Sequence, residues 1–378
     1  MNVLEQLCAD LVSIDSVNPD LVPGAAGEER AGRFVADWLR ARGLEVTLQP
    51  TARAGRPNVI AVARGSGGGK RLLLNAHMDT VGVTGMKDPF QPAVRGGRLY
   101  GRGAMDTKGA LAAFMSAAAA AKGAGLRGDV ILTAVVDEEY ASAGTEAVAR
   151  ACTADAAIVG EPSGLEIVTE HKGFAWFEVE TRGVAAHGSL PEAGVDAIAK
   201  MGAVLVALDQ MAAALLRSAK HWSLGTGSLH ASLIRGGQEL SSYPAACVLG
   251  IERRTVPGED VDQIERELAA MLAGLSEKDP HLRATLKRTF QRPPLEASRS
   301  SDIAVTLAAQ VRRITGEDAV FAGMAGWLDS ALLAAAGIPT VVLGPRGEGL
   351  HGETEWVDLA SVHQCREIIV GTIESFCR

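Results

Sequence analysis

Four short runs constrain what this chain can fold into more than any other feature of it. They lie at 70–75 (KRLLLN), 129–136 (DVILTAVV), Ala156–Val159 (AAIV) and 339–343 (PTVVL). In each, apolar residues occupy odd and even positions alike, so both faces of the strand are to be buried. Strands of that kind belong inside a sheet covered by helices, not in a sheet with one wet face. Between them lie segments with helical periodicity. Leu4, Leu7, Cys8, Leu11 and Val12 recur at helix spacing, and Ser16-Val17-Asn18-Pro19 ends that helix, because a proline pushes the residue before it out of the helical region. Phe34, Val35, Trp38 and Leu39 mark a second helix, stopped at Gly43, and 46–49 and Asn58–Ala63 read as further strands. The expected fold class is therefore α/β, with a mostly parallel sheet flanked by helices.

The stretch 173–288 breaks that pattern. It reads as a strand at 174–181, a helix at 195–216, strands at 228–234 and 247–253, a helix at 261–275 and a strand at 282–290. That β-α-β-β-α-β order is the ferredoxin-like arrangement, and the α/β pattern resumes at Asp302. The predicted organisation is a catalytic domain in two parts, 1–172 and 289–378, with an inserted domain at 173–288. A chain of 378 residues accommodates two domains.

Charge and cysteine usage exclude several classes. The net charge of −8 argues against nucleic acid or an anionic membrane as a partner, since either calls for a basic face. The five cysteines, Cys8, Cys152, Cys247, Cys365 and Cys377, form no C-x-x-C pair. Their odd number fits reduced thiols in a cytoplasm, and it speaks against a thiolate metal site. The N-terminus carries Glu5 and Asp10 in an amphipathic pattern and is not read as a signal peptide. The apolar stretch 110–121, taken as the longest, is too short to span a bilayer of ~30 Å.

Polar residues with metal-binding chemistry recur just past the strands. His77 and Asp79 follow the first run, Glu138 and Glu139 the second, Glu161 the third, and His351 lies in the loop after the fourth. In open α/β sheets that edge is where sites are built. Asp106 stands in Gly101-Arg102-Gly103-Ala104-Met105-Asp106-Thr107-Lys108-Gly109, between a glycine-rich turn and a helix expected to begin near Thr107. Its bland reading is a helix N-cap. Its company suggests more, because histidine and carboxylate oxygen are zinc's non-thiolate ligands. His77, Asp106, Glu139, Glu161 and His351 would serve two metals if one carboxylate, Asp106, bridged them. Two metals ~3.5–4 Å apart polarise a carbonyl and activate one shared water. Asp79 would accept the second imidazole N–H of His77 and fix its tautomer. Of the adjacent pair Glu138 and Glu139, one can bind metal while the other takes a proton from water.

The stretches HMD, GRGAMDTKG, VDEE, VGEPS, GVAAHGS and LHGETEWV together resemble one family, the dinuclear zinc amidohydrolases that include acetylornithine deacetylase, succinyl-diaminopimelate desuccinylase, aminoacylase and glutamate carboxypeptidase. The resemblance covers essentially the whole chain, in the family's order. It implies His77, Asp106 (bridging), Glu139, Glu161 and His351 as metal ligands and Glu138 as general base. It also implies that His187 stabilises the oxyanion, that Arg254 grips a substrate carboxylate, and that the chain forms a homodimer through the inserted domain. The expected cofactors are two divalent metal ions, zinc with cobalt able to substitute. The expected activity is removal of an acyl group, acetyl first, from a small N-acylated amino acid such as acetylornithine. A carboxypeptidase or dipeptidase and a succinyl-diaminopimelate desuccinylase are the alternatives within the class. A non-catalytic binding protein on the same fold is the alternative outside it, disfavoured because Glu138 and all five ligands are present. Two departures are visible: Lys108-Gly109-Ala110 where Lys-Gly-Gly is usual, and Ser241-Ser242-Tyr243-Pro244 where an asparagine often precedes the proline.

Overall fold

The computed structural model describes residues 1–378. The chain divides into two compact units: residues 1–169, 297–322 and 328–378 form the first, and 170–296 with 323–327 the second.

The first unit is built on a sheet whose spatial order runs Glu45–Gln49, Asn58–Ala63, Val130–Val135, Leu72–His77, Ala156–Val159 and Thr340–Val342, and then on to Ile167–His171. Its four central strands are parallel, and every residue in them is buried. These are the four runs apolar on both faces, so the reading of an interior parallel sheet holds. On either side of the four the pairing turns antiparallel, between Glu45–Gln49 and Asn58–Ala63, Asn58–Ala63 and Val130–Val135, and Thr340–Val342 and Ile167–His171. Glu45–Gln49 and Asn58–Ala63 follow one another through a loop with no crossover helix, which permits only antiparallel pairing. The sheet is thus mixed and flanked by helices. Those at Val3–Val12, Gly109–Ala121, Asp302–Thr315 and Leu359–Phe376 contribute Leu7, Leu11, Phe114, Met115, Leu307 and Ile369 to one continuous core.

The second unit has strands Gly173–Arg182, Ser228–Gly236, Ala246–Thr255 and Arg283–Arg292 and helices Ala197–Leu215 and Val261–Lys278. The strands pair antiparallel in the order Ser228–Gly236, Ala246–Thr255, Gly173–Arg182, Arg283–Arg292. Alternation along Gly173–Arg182 sends Ala175, Phe177 and Val179 into a core with Met201, Val204, Leu208, Ile264 and Leu268 of the two helices. Trp176 and Glu178 take the opposite face.

One sequence expectation is corrected in this unit. A second apolar segment, Ala197–Leu215, goes beyond 110–121: at 19 residues it has the length and composition to cross a membrane. Lys200 and Asp209 interrupt its apolar run in the sequence, which hid its extent. Lys200 lies 2.6 Å from Asp279, and Ala197, Met201, Val204 and Leu208 are the helix's buried residues.

Candidate metal centre and active site

Parallel strands deliver their C-terminal ends to one edge of the sheet, and the candidate residues gather there. His77 is the last residue of Leu72–His77, so this strand runs two residues beyond the stretch read from the sequence. Glu138 and Glu139 follow Val130–Val135 after Asp137, which adopts a left-handed φ of 69°. Glu161 lies just beyond Ala156–Val159. His351 sits in a loop with φ 56°. Asp106 lies in the wide turn Ala104–Lys108, and the helix proper begins at Gly109 and not at Thr107. Asp106 does not cap that helix, whose N-cap position falls to Lys108; the Asp106 carboxylate instead faces two imidazoles.

Two sets of three ligands result, and they share Asp106. Asp106 Oδ1 lies 3.1 Å from His77 Nε2, and Glu161 Oε1 lies 3.9 Å from the same nitrogen. Asp106 Oδ2 lies 3.3 Å from His351 Nε2, which is 3.2 Å from Glu139 Oε2. Within each set, His77–Asp106–Glu161 and Asp106–Glu139–His351, the ligand atoms lie within 4.8 Å of one another. Each oxygen of Asp106 thus serves one set, the disposition a bridging carboxylate requires.

His77 is fixed in the tautomer that such a role needs. Its Nδ1–H donates to the Asp79 carbonyl oxygen at 2.9 Å, which reserves Nε2, facing Asp106 and Glu161, as the nitrogen that would bind a metal. The Asp79 carboxylate is further from Nδ1, at 3.5 Å, so it is not the nearer acceptor that sequence reasoning expected. It accepts the backbone N–H groups of Glu138 and Glu139 instead, each at 3.2 Å. Asp79 therefore steadies the histidine with its main chain and the glutamate pair with its side chain.

Sequence reasoning missed Glu355, although it lies inside the quoted LHGETEWV stretch. The residue is 1% exposed. Its Oε2 accepts from Arg102 Nη1 at 2.7 Å and Gly103 N–H at 2.9 Å, and its Oε1 from Met105 N–H at 2.8 Å and Asp106 N–H at 3.0 Å. One carboxylate thus satisfies four donors of the turn that presents Asp106. A buried donor left unpaired costs about 1–3 kcal/mol, so the turn depends heavily on it. Asp329 was missed as well. It is buried, accepts from Thr145 Oγ1 at 2.6 Å, and burial first, with the charge of Asp79, raises it to about 6.

The electrostatics call for cations. Burial first, then the Asp106 charge, pushes Glu139 up to about 7. Burial, with neighbouring acids such as Asp106 and Asp329, holds Glu161 well above the ordinary range despite the opposing pull of His77. Burial and the Glu161 charge do the same to Glu138. Hydrogen bonds to Asp106 and Glu139 lift His351 to about 10. Asp106 falls, because His351 and His77 outweigh its burial, and Asp79 falls as well, burial there being outweighed by His77 and Asn18. Glu139 Oε1 is buried with no hydrogen-bond partner. Crowded carboxylates, two imidazoles with ring nitrogens turned inward and an unsatisfied buried oxygen fit a pair of divalent cations with O and N ligands.

His187 and Arg254 belong to the second unit. His187 is exposed and its main chain bridges to Ser242. Its Nδ1 accepts the Ser189 N–H at 3.2 Å and lies 2.8 Å from Ser189 Oγ. Arg254 stands on Ala246–Thr255, with Nε 3.0 Å from Glu252 Oε2 and its guanidinium carbon 5.1 Å from the centre of the Phe174 ring.

A mixed α/β sheet with a candidate two-metal site at its strand ends, together with an inserted ferredoxin-like unit, defines a class of metal-dependent amide hydrolases. Residues 73–375 match the profile of peptidase family M20/M25/M40, and the chain belongs to that family. It is 27% identical to an acetylornithine deacetylase of Proteus mirabilis, covering 98% of this chain and 96% of that one. It is also 27% identical to the N-formyl-4-amino-5-aminomethyl-2-methylpyrimidine deformylase of Bacillus subtilis, covering 99% and 94%. Among solved structures, an M20 family metallo-carboxypeptidase of Sulfolobus solfataricus superposes with a TM-score of 0.80 at 17% identity, covering 100% of this chain and 99% of that one. A tripeptidase of Staphylococcus aureus superposes with a TM-score of 0.78 at 20% identity, covering 99% and 98%. The chain is therefore a hydrolase acting on amide bonds.

Proposed function

We propose that this hydrolase removes a small acyl group, acetyl first, from an N-acylated amino acid with a free α-carboxylate, acetylornithine-like substrates leading the series. The observation that carries the reading is the pair of ligand sets sharing Asp106, with Glu138 on the same turn as Glu139. The relatives named as a deacetylase and a deformylase support a small acyl group. Peptide cleavage is the second reading, favoured by the solved peptidases that share the fold.

His77, Asp106 and Glu161 would hold one divalent metal, and Asp106, Glu139 and His351 the other, with zinc preferred and cobalt able to substitute. When bound, such a pair supplies Lewis-acid polarisation of the amide carbonyl and a water of lowered pKa. The remaining steps fall to the chain's own groups. Glu138, not needed as a ligand, takes the proton of the attacking water and returns it to the leaving nitrogen. His187 stabilises the oxyanion through Nε2–H, the nitrogen left protonated when Nδ1 accepts from Ser189. Arg254 takes the substrate carboxylate, with Glu252 orienting its guanidinium.

The working form we propose is a cytoplasmic homodimer joined through the second unit. Ser228–Gly236 is an edge strand on which Leu233 is 69% and Ile234 53% exposed. Val206 and Leu216, on and just past the apolar helix Ala197–Leu215, are also exposed. An unpaired apolar edge of this kind invites a second copy of itself.

The test is a panel of N-acetyl and N-succinyl amino acids, dipeptides and longer peptides, assayed with added zinc or cobalt. Free acids of the acyl amino acids are expected to lead. Blocking the carboxylate as an ester is expected to lower kcat/KM more than ~10-fold, since a lost charged hydrogen bond exceeds the ~1.4 kcal/mol that tenfold represents. Esters and long peptides turned over as fast as the free acids would overturn both the deacylase reading and the role of Arg254.

A further inference from the structure

We infer that the N-terminal segment upstream of the family-matched residues 73–375 is a working part of the active site, with Asn18 as a positioning residue for Glu138. The kinetic side of this inference rests on the hydrolase reading above. Its structural side does not.

The difficulty that Asn18 resolves is geometric. Consecutive residues of a strand point to opposite faces, yet Glu138 and Glu139 must serve one site. Asp137 turns the chain with its left-handed φ of 69°, a conformation uncommon outside glycine that aspartate tolerates better than most residues and that is held here by its partners. Those partners come from the N-terminal segment. Arg53 Nε donates to Asp137 Oδ2 at 2.8 Å, and Arg56 Nη2 approaches Asp137 Oδ1 at 3.4 Å. The Asp137 N–H donates to Glu28 Oε1 at 3.1 Å. Glu28 is itself gripped by Arg56 through two hydrogen bonds of 2.6 Å.

Asn18 joins this layer to the site. It is fully buried, and its amide nitrogen donates to Asp79 Oδ2 at 2.8 Å and to Asp137 Oδ1 at 3.2 Å. Its Oδ1 accepts the Asp20 N–H at 2.9 Å. Its own N–H donates to the Thr80 carbonyl at 2.9 Å, and Ser16 Oγ donates to the Met78 carbonyl at 2.7 Å. The 16–20 loop therefore lies along 78–80, and one side-chain amide ties together the two carboxylates that flank the glutamate pair. Asp79 takes the N–H groups of Glu138 and Glu139, and Asp137 sets the turn that aims them. Asparagine suits the position because it offers two donors to two carboxylates and adds no charge. Without it, the Asp79 and Asp137 carboxylates lose the one donor that they share beside the loop that carries the base.

The test compares Asn18→Ala and Asn18→Ser in the wild-type and in the Glu138→Gln background. Asn18→Ala is expected to lower kcat roughly 10–100-fold, part of the ~10²–10⁴-fold that a general base contributes, with KM changed by less than ~3-fold. With Glu138 already replaced, the same change is expected to cost less than ~2-fold, since residues that act as a unit are not additive. Asn18→Ser keeps one donor, is expected to fall between, and carries the comparison if the alanine variant does not fold. Equal losses in both backgrounds, or an unchanged kcat, would overturn the inference. A second arm needs no substrate and no metal. In chelator-treated protein, Asn18→Ala is expected to abolish hydrogen-exchange protection at the amides of 138 and 139 while strands Leu72–His77 and Val130–Val135 stay protected. Unchanged protection at 138 and 139 would overturn the inference whatever the activity, whereas lost protection in a protein that hydrolyses no amide would count against the deacylase reading alone.

Discussion

In the mechanism proposed above Asp106 and Glu138 divide the chemistry between them, and their surroundings support that division. Asp106 is held low by two imidazoles and stays ionised, as a shared ligand must. Burial and Glu161 hold Glu138 high, so it keeps affinity for a proton. Glu138→Gln is accordingly expected to keep fold and metal binding while kcat falls by ~10²–10⁴-fold with little change in KM. A variant with kcat near wild type, measured by steady-state kinetics, would move the base elsewhere. The candidate ligands that the structure brings together were legible in the sequence because histidines and carboxylates recur just past the strands. What supports them was not. Glu355 reaches Asp106 across 249 residues of chain, and Asn18 reads locally as no more than the residue before a proline. Hydrogen bonds to distant main chain leave no periodic or spacing signal. The nearest clue to Glu355 was an acid inside a stretch already singled out.

At the scale of elements, the sequence read best where burial was complete. The four strands buried at every position were found from their unbroken apolar runs, and the ferredoxin-like order of the second unit from alternating patterns. Boundaries near the site were read less well. The helix start was set at Thr107 by the preference of Asp for N-caps, whereas His77, His351 and Glu355 draw the 104–108 turn into the site and delay the helix to Gly109. The Ser228–Gly236 edge carries the element-scale prediction. Leu233→Glu, placing a charge on that edge, is expected to convert a two-chain particle into a one-chain particle by light scattering with circular dichroism unchanged. A wild-type protein that is already monomeric and fully active would contradict the proposed dimer.

For the whole molecule, the clustering of acids predicts how it behaves without metal. Glu139 is raised from 4.5 to about 7, so the stability it lends is complete below its unfolded value and lost as pH rises through 7. His351 is raised from 6.5 to about 10, so its contribution is likewise lost as pH climbs toward 10, and His77 shifts the same way. The lowered Asp106 acts in the opposite sense, but only in acid below its ordinary value of 3.8. Chelator-treated protein is therefore expected to melt at a lower temperature at about pH 8.5 than at about pH 6. Zinc should raise the melting temperature most at the higher pH, where its ligands are free of protons. A stripped protein that melts higher at about pH 8.5 would show that these carboxylates are not crowded as described.

The account stands most directly on two metals sharing Asp106. Stripped protein titrated with zinc, with bound metal and hydrolysis of an N-acyl amino acid followed together, is the measurement that reaches it. The expected result is a rise to close to two metals per chain, with activity absent in chelator and restored by the metal. Less than one metal per chain at saturating zinc, with hydrolysis intact in chelator, would contradict it.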